Sequence, residues 1–322
     1  MEQWASKEMA GAILGHERFR SNAIKILSRI GEKQGLSFSA ACGPAVRKSA
    51  NRLFSQSDID LHKGHVEETI KRSEGELLVL ALEDTTDVNY NSHKAKQGMG
   101  QLGGPKGTKG INIHSVLCVR VDGEPLGLIG QHIWAPPVSK SKSEGIAIRN
   151  LPIADKESMK WIRLMRDVNG AFESHRSRVL VITDREGDFY EHVSEPRKEN
   201  VSLLIRGSHL ERNIKFGGQR CKVRDLPALT AVQGCYKLTV SKQKNREERI
   251  AKINVRYGQI EYPPTRGKTG ATINLWFVHA EEIDYPGADK IEWYLFTTLP
   301  IDTILFYLLL DNRFLLHAQT KD

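Results

Sequence analysis

The spacing of apolar and polar positions changes twice along the chain. Up to about residue 70 it is helical. Leu14, Ala23, Ile24, Ile26, Leu27 and Ile30 fall at helix-like intervals, interspersed with Arg18, Arg20, Lys25 and Arg29. A second helix is predicted over Pro44–Phe54, with Arg47, Lys48 and Arg52 as its basic face. Ser55 to Asp58 reads as a linker, and a third helix is predicted from Ile59 to Lys71. This small helical unit with a basic face fits two readings: solvated charge on an amphipathic bundle, or contact with DNA.

Beyond residue 70 the pattern becomes that of strands. Leu77 to Leu82 is an unbroken apolar run, as expected of a strand buried on both faces, and it ends in Glu83-Asp84. Ile111–Val119 alternates as a second strand and Pro125–Trp134 makes a third, with a hairpin signal at Asp122-Gly123 between them. Asp155–Val168 has helical spacing. Arg178–Thr183 is another short apolar strand and also ends in an acid, Asp184. After a short polar stretch, Ser194 to Asn200, Val201–Ile205 is the next strand. From about Ile214 to Pro300 short strands alternate with turn residues: Tyr236–Val240, Ile250–Val255, Ala271–His279 and Trp293–Thr298. The whole predicts an α/β fold with a β-rich insertion, preceded by a helical domain. The boundaries are residues 1–70, 71–213, 214–303 and a final abruptly apolar stretch, 304–322.

Composition narrows the partners. The chain has 322 residues, enough for two or three domains, with 47 Lys+Arg against 39 Asp+Glu and a formal net charge of +8. A basic surface attracts polyanions, nucleic acid foremost, although an ordinary basic protein carries similar charge. Cys42, Cys118, Cys221 and Cys235 include no CxxC pair, which argues against a zinc site or disulfide framework and for reduced thiols in the cytoplasm. No apolar segment follows a basic N-terminal start, and Ile304 to Leu310, the longest apolar run, is too short to span a membrane. Arg266-Gly267-Lys268-Thr269 has only the end of a P-loop, with Tyr262 where its leading glycine would stand. No HExxH or Gly-x-Ser-x-Gly motif is present.

The chemistry lies in the two strand-terminal acids. Sites in open α/β sheets form at the carboxyl ends of strands. If the two strands are adjacent, Asp84 and Asp184 face one pocket. Paired carboxylates bind Mg2+ or Mn2+, and two such ions clamp the oxygens in phosphoryl transfer on a nucleic-acid backbone. The competing reading is that each Asp starts a turn or caps a helix.

The flanking residues tilt this balance. Glu83-Asp84-Thr85-Thr86 and Thr183-Asp184-Arg185-Glu186-Gly187-Asp188 resemble the two Asp signatures of the IS-four group of bacterial insertion-sequence transposases, the transposon-five-like DDE enzymes. Ile113-His114-Ser115-Val116-Leu117, Lys156-Glu157-Ser158 with Trp161, Leu14-Gly15, Lys48 to Phe54, and Trp293 with Leu295, Thr297, Thr298 and Pro300 extend the likeness in order to about Asp302. The resemblance implies an RNase H-like core, a helical domain that binds transposon ends, cut-and-paste chemistry with Mg2+ (Mn2+ substituting), and a homodimer acting on terminal repeats and target DNA in a bacterial cytoplasm. It implies that Asp84 and Asp184 are the first two members of the triad and its metal ligands. It also implies that Trp293 stacks on a flipped base, a role for which the alternative is a core tryptophan. Arg206 and His209 resemble positions that contact DNA, and Lys106 and Lys109 would meet phosphates on the loop after the first Asp. Glu83, Glu186 and Asp188 are nearby acids with structural or supporting roles.

The chain departs from the family where a third ligand, a Glu framed by a Tyr and an Arg upstream and a Lys downstream, is expected. The stretch after Thr303 contains Tyr307 and Arg313 at the wrong spacing and no Glu. The expectation is that this stretch is out-of-frame sequence produced by a frameshift, and on that reading loss of the Glu predicts a chain without cleavage activity. A DNA-binding protein that inhibits the full-length enzyme is the alternative role. Translating the nucleotide sequence past codon 303 in the other two frames is expected to reveal the Tyr, Arg, Glu and Lys helix. Its absence from both frames removes the frameshift account.

Overall fold

The computed structural model describes residues 2–93, 95–103, 107–136, 151–242, 247–265 and 267–301. Lys106 and the stretch 304–322, with Tyr307 and Arg313, lie outside the described residues. The first five helices are α1 (Glu2–Glu8), α2 (Glu17–Glu32), α3 (Phe38–Ala41), α4 (Pro44–Phe54) and α5 (His62–Ser73). Ala23 and Ile26 of α2 and Ala50 and Leu53 of α4 meet with Met9, Ala12 and Leu14 in one small apolar core. The helical periodicity puts Arg47, Lys48 and Arg52 on the other side of α4, where all three are exposed.

The strands are β1 (Leu78–Asn89), β2 (Gly100–Gln101), β3 (Lys109–Arg120), β4 (Pro125–Trp134), β5 (Arg178–Thr183), β6 (Val201–Arg206), β7 (Asn213–Phe216), β8 (Gln219–Lys222), β9 (Gly234–Val240), β10 (Arg249–Tyr262), β11 (Ile273–Ile283) and β12 (Glu292–Thr297). They form one sheet in the order β2-β3-β1-β5-β6-β12-β11-β10-β7-β8, with β4 beside β3 and β9 beside β10. The pairs β1–β5 and β5–β6 are parallel, whereas β1–β3, β3–β4 and β6–β12 are antiparallel. The β-rich stretch expected as an insertion therefore continues the central sheet, because β12 takes the open edge of β6.

Alternation sorts the side chains of β1 and β5 between two cores. Val79, Ala81, Val179 and Val181 face one, built with Leu164, Met165 and Val168 of α6 (Met159–Ala171). Leu78, Leu80 and Leu180 face the other, together with Val278, Trp293 and Leu295. One expectation needs correction. β1 does not end at Glu83-Asp84; it runs to Asn89, because β3 keeps pairing with it as far as Asn89 opposite Gly110. Only its parallel ladder with β5 stops at Leu82.

The helical unit is clamped to the sheet through a buried acid. Glu8, 2% exposed, accepts from Arg72 Nη1 at 2.5 Å and from His65 Nδ1 at 2.6 Å. His65 Nε2 accepts the Leu128 amide at 2.8 Å, which fixes the Nδ1–H tautomer that donates to Glu8. Arg72 Nε donates to the Leu126 carbonyl at 2.6 Å, where a register shift in the β3–β4 ladder leaves Leu126 out of the pairing. Gly127, at φ 142, lets α5 approach: a Cβ there would sit 2.2 Å from Thr69 Oγ1. Replacing one partner of a buried pair strands the other. Arg72 and His65 are each about one third exposed, so water partly replaces the lost acceptor, and Glu8→Ala is expected to lower stability by about 1–3 kcal/mol in urea unfolding. A decrease below about 1 kcal/mol would show that the clamp adds little.

Candidate metal and nucleic-acid site

The β1–β5 ladder pairs Leu78 with Arg178, Val79 with Val179, and so on to Leu82 with Ile182. The ladder ends there; carried two residues further, the register would set Asp84 beside Asp184, which lies just past the end of β5. Asp84 follows Leu80 and Leu82 in the alternation of β1, and Asp184 follows Leu180 and Ile182 at the same spacing. Neighbouring strands are about 5 Å apart, a separation that two carboxylates can span with one cation between them. Asp84 is exposed and Asp184 half-buried. Asp184 Oδ1 accepts the Glu186 amide at 2.9 Å and caps a 3-10 turn, Arg185–Gly187. The capping reading of this Asp is thus realised.

The opposite face at this level carries a buried polar layer. Glu83 and Thr183 follow the alternation toward α6, and both are buried. His114 Nε2 lies 3.7 Å from Glu83 Oε2, and His114 Nδ1 lies 2.9 Å from Thr85 Oγ1. The His114 ring meets Trp161 edge-on at 4.4 Å, and Trp161 is tilted against His192 at 6.2 Å. Burial pushes the Glu83 carboxyl well above its ordinary range, and the charge of Asp167 adds to this. Burial lowers His114 to about 3, helped by the positive charge of Lys160. Burial likewise lowers His192 to about 4, against the hydrogen bond of its Nδ1 to the Gly187 carbonyl at 3.0 Å. Burial thus opposes charge on all three of these groups.

Asp188 is excluded as a ligand, because its oxygens are already occupied. It accepts from the Ser208 and His209 amides, Ser208 Oγ, Arg212 Nη1 and Tyr262 Oη at 2.7, 3.0, 3.3, 2.6 and 3.0 Å. Glu186 reaches Lys160 Nζ at 3.0 Å. Among the described residues no group of three or more His, Cys, Asp and Glu side chains can hold a metal ion. Asp84 and Asp184 supply two carboxylates, and Mg2+ is commonly held by one or two carboxylates plus substrate phosphates.

The other residues singled out in the sequence are dispersed. Lys109 is exposed at the start of β3, where its amide donates to Asn91 Oδ1 at 2.7 Å. Arg206 ends β6 and is half-buried, and His209 is exposed on the turn that follows. Trp293 is 4% exposed and packs in the apolar cluster with Leu80 and Leu295. The structure makes it a core tryptophan, so stacking on a base requires this cluster to open. The saturation of Asp188 and the buried Glu83–His114 layer are not visible in the sequence. The nearest signal is the density of acids around Asp184.

Residues 1–59 match the protein family described as Transposase DNA-binding. A solved structure of the piggyBac transposase synaptic complex with hairpin DNA aligns with 85% of this chain and 45% of that chain, at 10% identity and a TM-score of 0.35. The chain thus spans less than half the length of that neighbour, and the score is too low to assign a fold.

His192 gives the site a pH signature. Its folded value lies below the ordinary 6.5, so between pH 6.5 and about 4 the unfolded chain binds the proton and the folded chain does not. The stability it contributes is complete above pH 6.5 and falls as pH drops toward 4. Asn can keep the donor to the Gly187 carbonyl but does not titrate. His192→Asn is expected to make the loss of stability between pH 6 and 4.5 shallower by about 1.4 kcal/mol per pH unit, read from urea unfolding. Identical slopes for the two proteins would place the proton elsewhere.

Proposed function

We propose that this chain is a transposase-type protein that binds transposon-end DNA through its helical unit and holds a divalent cation at Asp84 and Asp184 against the DNA backbone. The observation that carries this reading is the parallel β1–β5 register, whose last pair, Leu82 with Ile182, stands two residues before Asp84 on one strand and two before Asp184 on the other. The match of residues 1–59 to a transposase DNA-binding family supports the first half. The order β4-β3-β1-β5-β6, antiparallel on one side of β1 and parallel on the other, is compatible with the RNase H-like core implied by the resemblance to the IS-four group.

On this reading Arg47, Lys48 and Arg52 contact phosphates from the exposed side of α4, and Lys109 and His209 extend the DNA-binding surface along the sheet. The bound Mg2+ or Mn2+ supplies charge stabilisation for hydrolysis and strand transfer of a phosphodiester. The protein's own part is to hold the two carboxylates at the ends of the β1–β5 ladder, above a layer in which burial opposes charge. A second reading, DNA binding without cleavage and inhibition of a complete enzyme, is favoured by the lack of a third carboxylate beside the pair among the described residues.

Two measurements test this. Alanine at Arg47, Lys48 or Arg52 is expected to weaken binding to terminal-repeat DNA several-fold. It should also flatten the log-log salt dependence by about one unit for each phosphate that is no longer neutralised. Unchanged affinity and slope in all three would remove α4 from the interface. With Mg2+ or Mn2+ and the same DNA, the second reading predicts binding but no strand cleavage. Cleavage that disappears in Asp84→Ala would rule out that second reading in favour of an active enzyme.

A further inference from the structure

The loop after β5 carries Asp184, and four residues later it carries Asp188, a carboxylate with a different task. Asp188 is 2% exposed, and its two oxygens receive five donors from two distant parts of the chain. The successive amides of Ser208 and His209 grip Oδ2 as a two-pronged backbone nest, at 2.7 and 3.0 Å. Arg212 Nη1 and Tyr262 Oη hold Oδ1 at 2.6 and 3.0 Å, and Arg212 Nη2 also donates to the Asp188 carbonyl at 3.1 Å. Arg212 in turn lies 4.5 Å over the Tyr262 ring, and Tyr262 is wholly buried against Phe296. The single Ser208 Oγ proton is shared between Asp188 Oδ2 at 3.3 Å and the Arg185 carbonyl at 3.2 Å, the latter inside the turn that Asp184 caps.

Three segments thus meet on one buried anion: the turn 184–188, the turn 207–212 that follows β6, and the end of β10. Gly207 tightens the second of these, since its amide donates to the Tyr294 carbonyl at 2.6 Å and a Cβ there would lie 2.6 Å from the Phe296 ring. β5 leaves its ladder with β1 before Asp184, so pairing with β1 does not hold the Asp184 backbone in place. Asp188 supplies that constraint from the other side.

We propose that Asp188 is a positioning residue for the metal site: it locks the Asp184 turn to the Ser208–Arg212 turn, so that the second carboxylate and the exposed His209 move as one unit. This rests on the reading of Asp84 and Asp184 as a divalent-cation pair. Buried polar partners that orient a ligand influence metal affinity on the order of 10- to 100-fold, although they never touch the ion.

The experiment is a titration of the whole chain with Mn2+ alone, following free Mn2+ by electron paramagnetic resonance, with thermal unfolding measured in parallel. Asp188→Asn keeps the shape and removes the charge. Tyr262→Phe removes one donor and keeps the buried ring, and it decides the matter if Asp188→Asn does not fold. Glu282→Gln is the control, because it breaks a buried pair with Arg249, held by 2.8 Å hydrogen bonds on β10–β11 and not touching Asp188. The expected result is Mn2+ affinity reduced on the order of tenfold in Asp188→Asn and less in Tyr262→Phe, with Glu282→Gln less heat-stable but binding as the parent does. The proposal is overturned if both variants unfold earlier yet bind Mn2+ as the parent does, or if the control loses as much affinity as they do. A parent chain that binds no more Mn2+ than Asp84→Asn overturns the metal reading, and this proposal with it.

Discussion

Five parallel pairs between β1 and β5, Leu78 with Arg178 through Leu82 with Ile182, set the geometry on which the rest of the site depends. Pairing fixes register, and register fixes face: a slip of one residue would send Asp84 and Asp184 to opposite sides of the sheet. The register is held because both strands are buried on both faces, with Val79, Ala81, Val179 and Val181 against α6 and Leu78, Leu80 and Leu180 in the second core. Beyond Leu82 the strands part. β1 stays paired with β3, while β5 turns into the short 3-10 segment that Asp184 caps.

The regions around this ladder are joined by buried carboxylates that face several donors at once. Glu8 joins α1 to α5, and its partners His65 and Arg72 join α5 to the backbone of β4. Asp188 joins the turns after β5 and β6 to the end of β10. A buried carboxylate with this many donors is specific, since removing any partner leaves desolvated charge behind. The consequence is that the basic helix α4 and the aspartate pair belong to parts of the chain tied to the same sheet. A protein acting at a defined distance from a bound DNA end needs such a connection.

Much of this is readable from residue patterns. The bounds of β4, β5 and α4 follow from apolar alternation, a short apolar run and helical spacing, each strong within one segment. The continuation of β1 through Thr85, Thr86, Asp87, Val88 and Asn89 is not readable, because these mostly polar residues are held in the strand by β3 rather than by their own propensity. The β7–β8 hairpin has a turn signal in Gly217 and Gly218, both at positive φ, but its strands of four residues each are too short and polar to show alternation. The two aspartates stand out in the sequence because each follows an apolar run, although Asp84 lies within β1 and Asp184 just past β5. What distinguishes Asp184 from Asp188 is not legible: both are acids in one short loop, and only the tertiary structure brings Tyr262 and Arg212 to the second. Trp293 illustrates the converse, since its strand is legible while the sequence leaves base stacking and a core position open, and the structure buries it.

The central claim is that the β1–β5 register brings Asp84 and Asp184 together as a cation-binding pair. Diffraction from crystals soaked in Mn2+, collected at the manganese edge, tests it most directly. The account predicts an anomalous peak between the two carboxylates, within about 2.5 Å of an oxygen of each, and its disappearance in crystals of Asp184→Asn. A peak elsewhere, or none while the two aspartates stand apart, would contradict it.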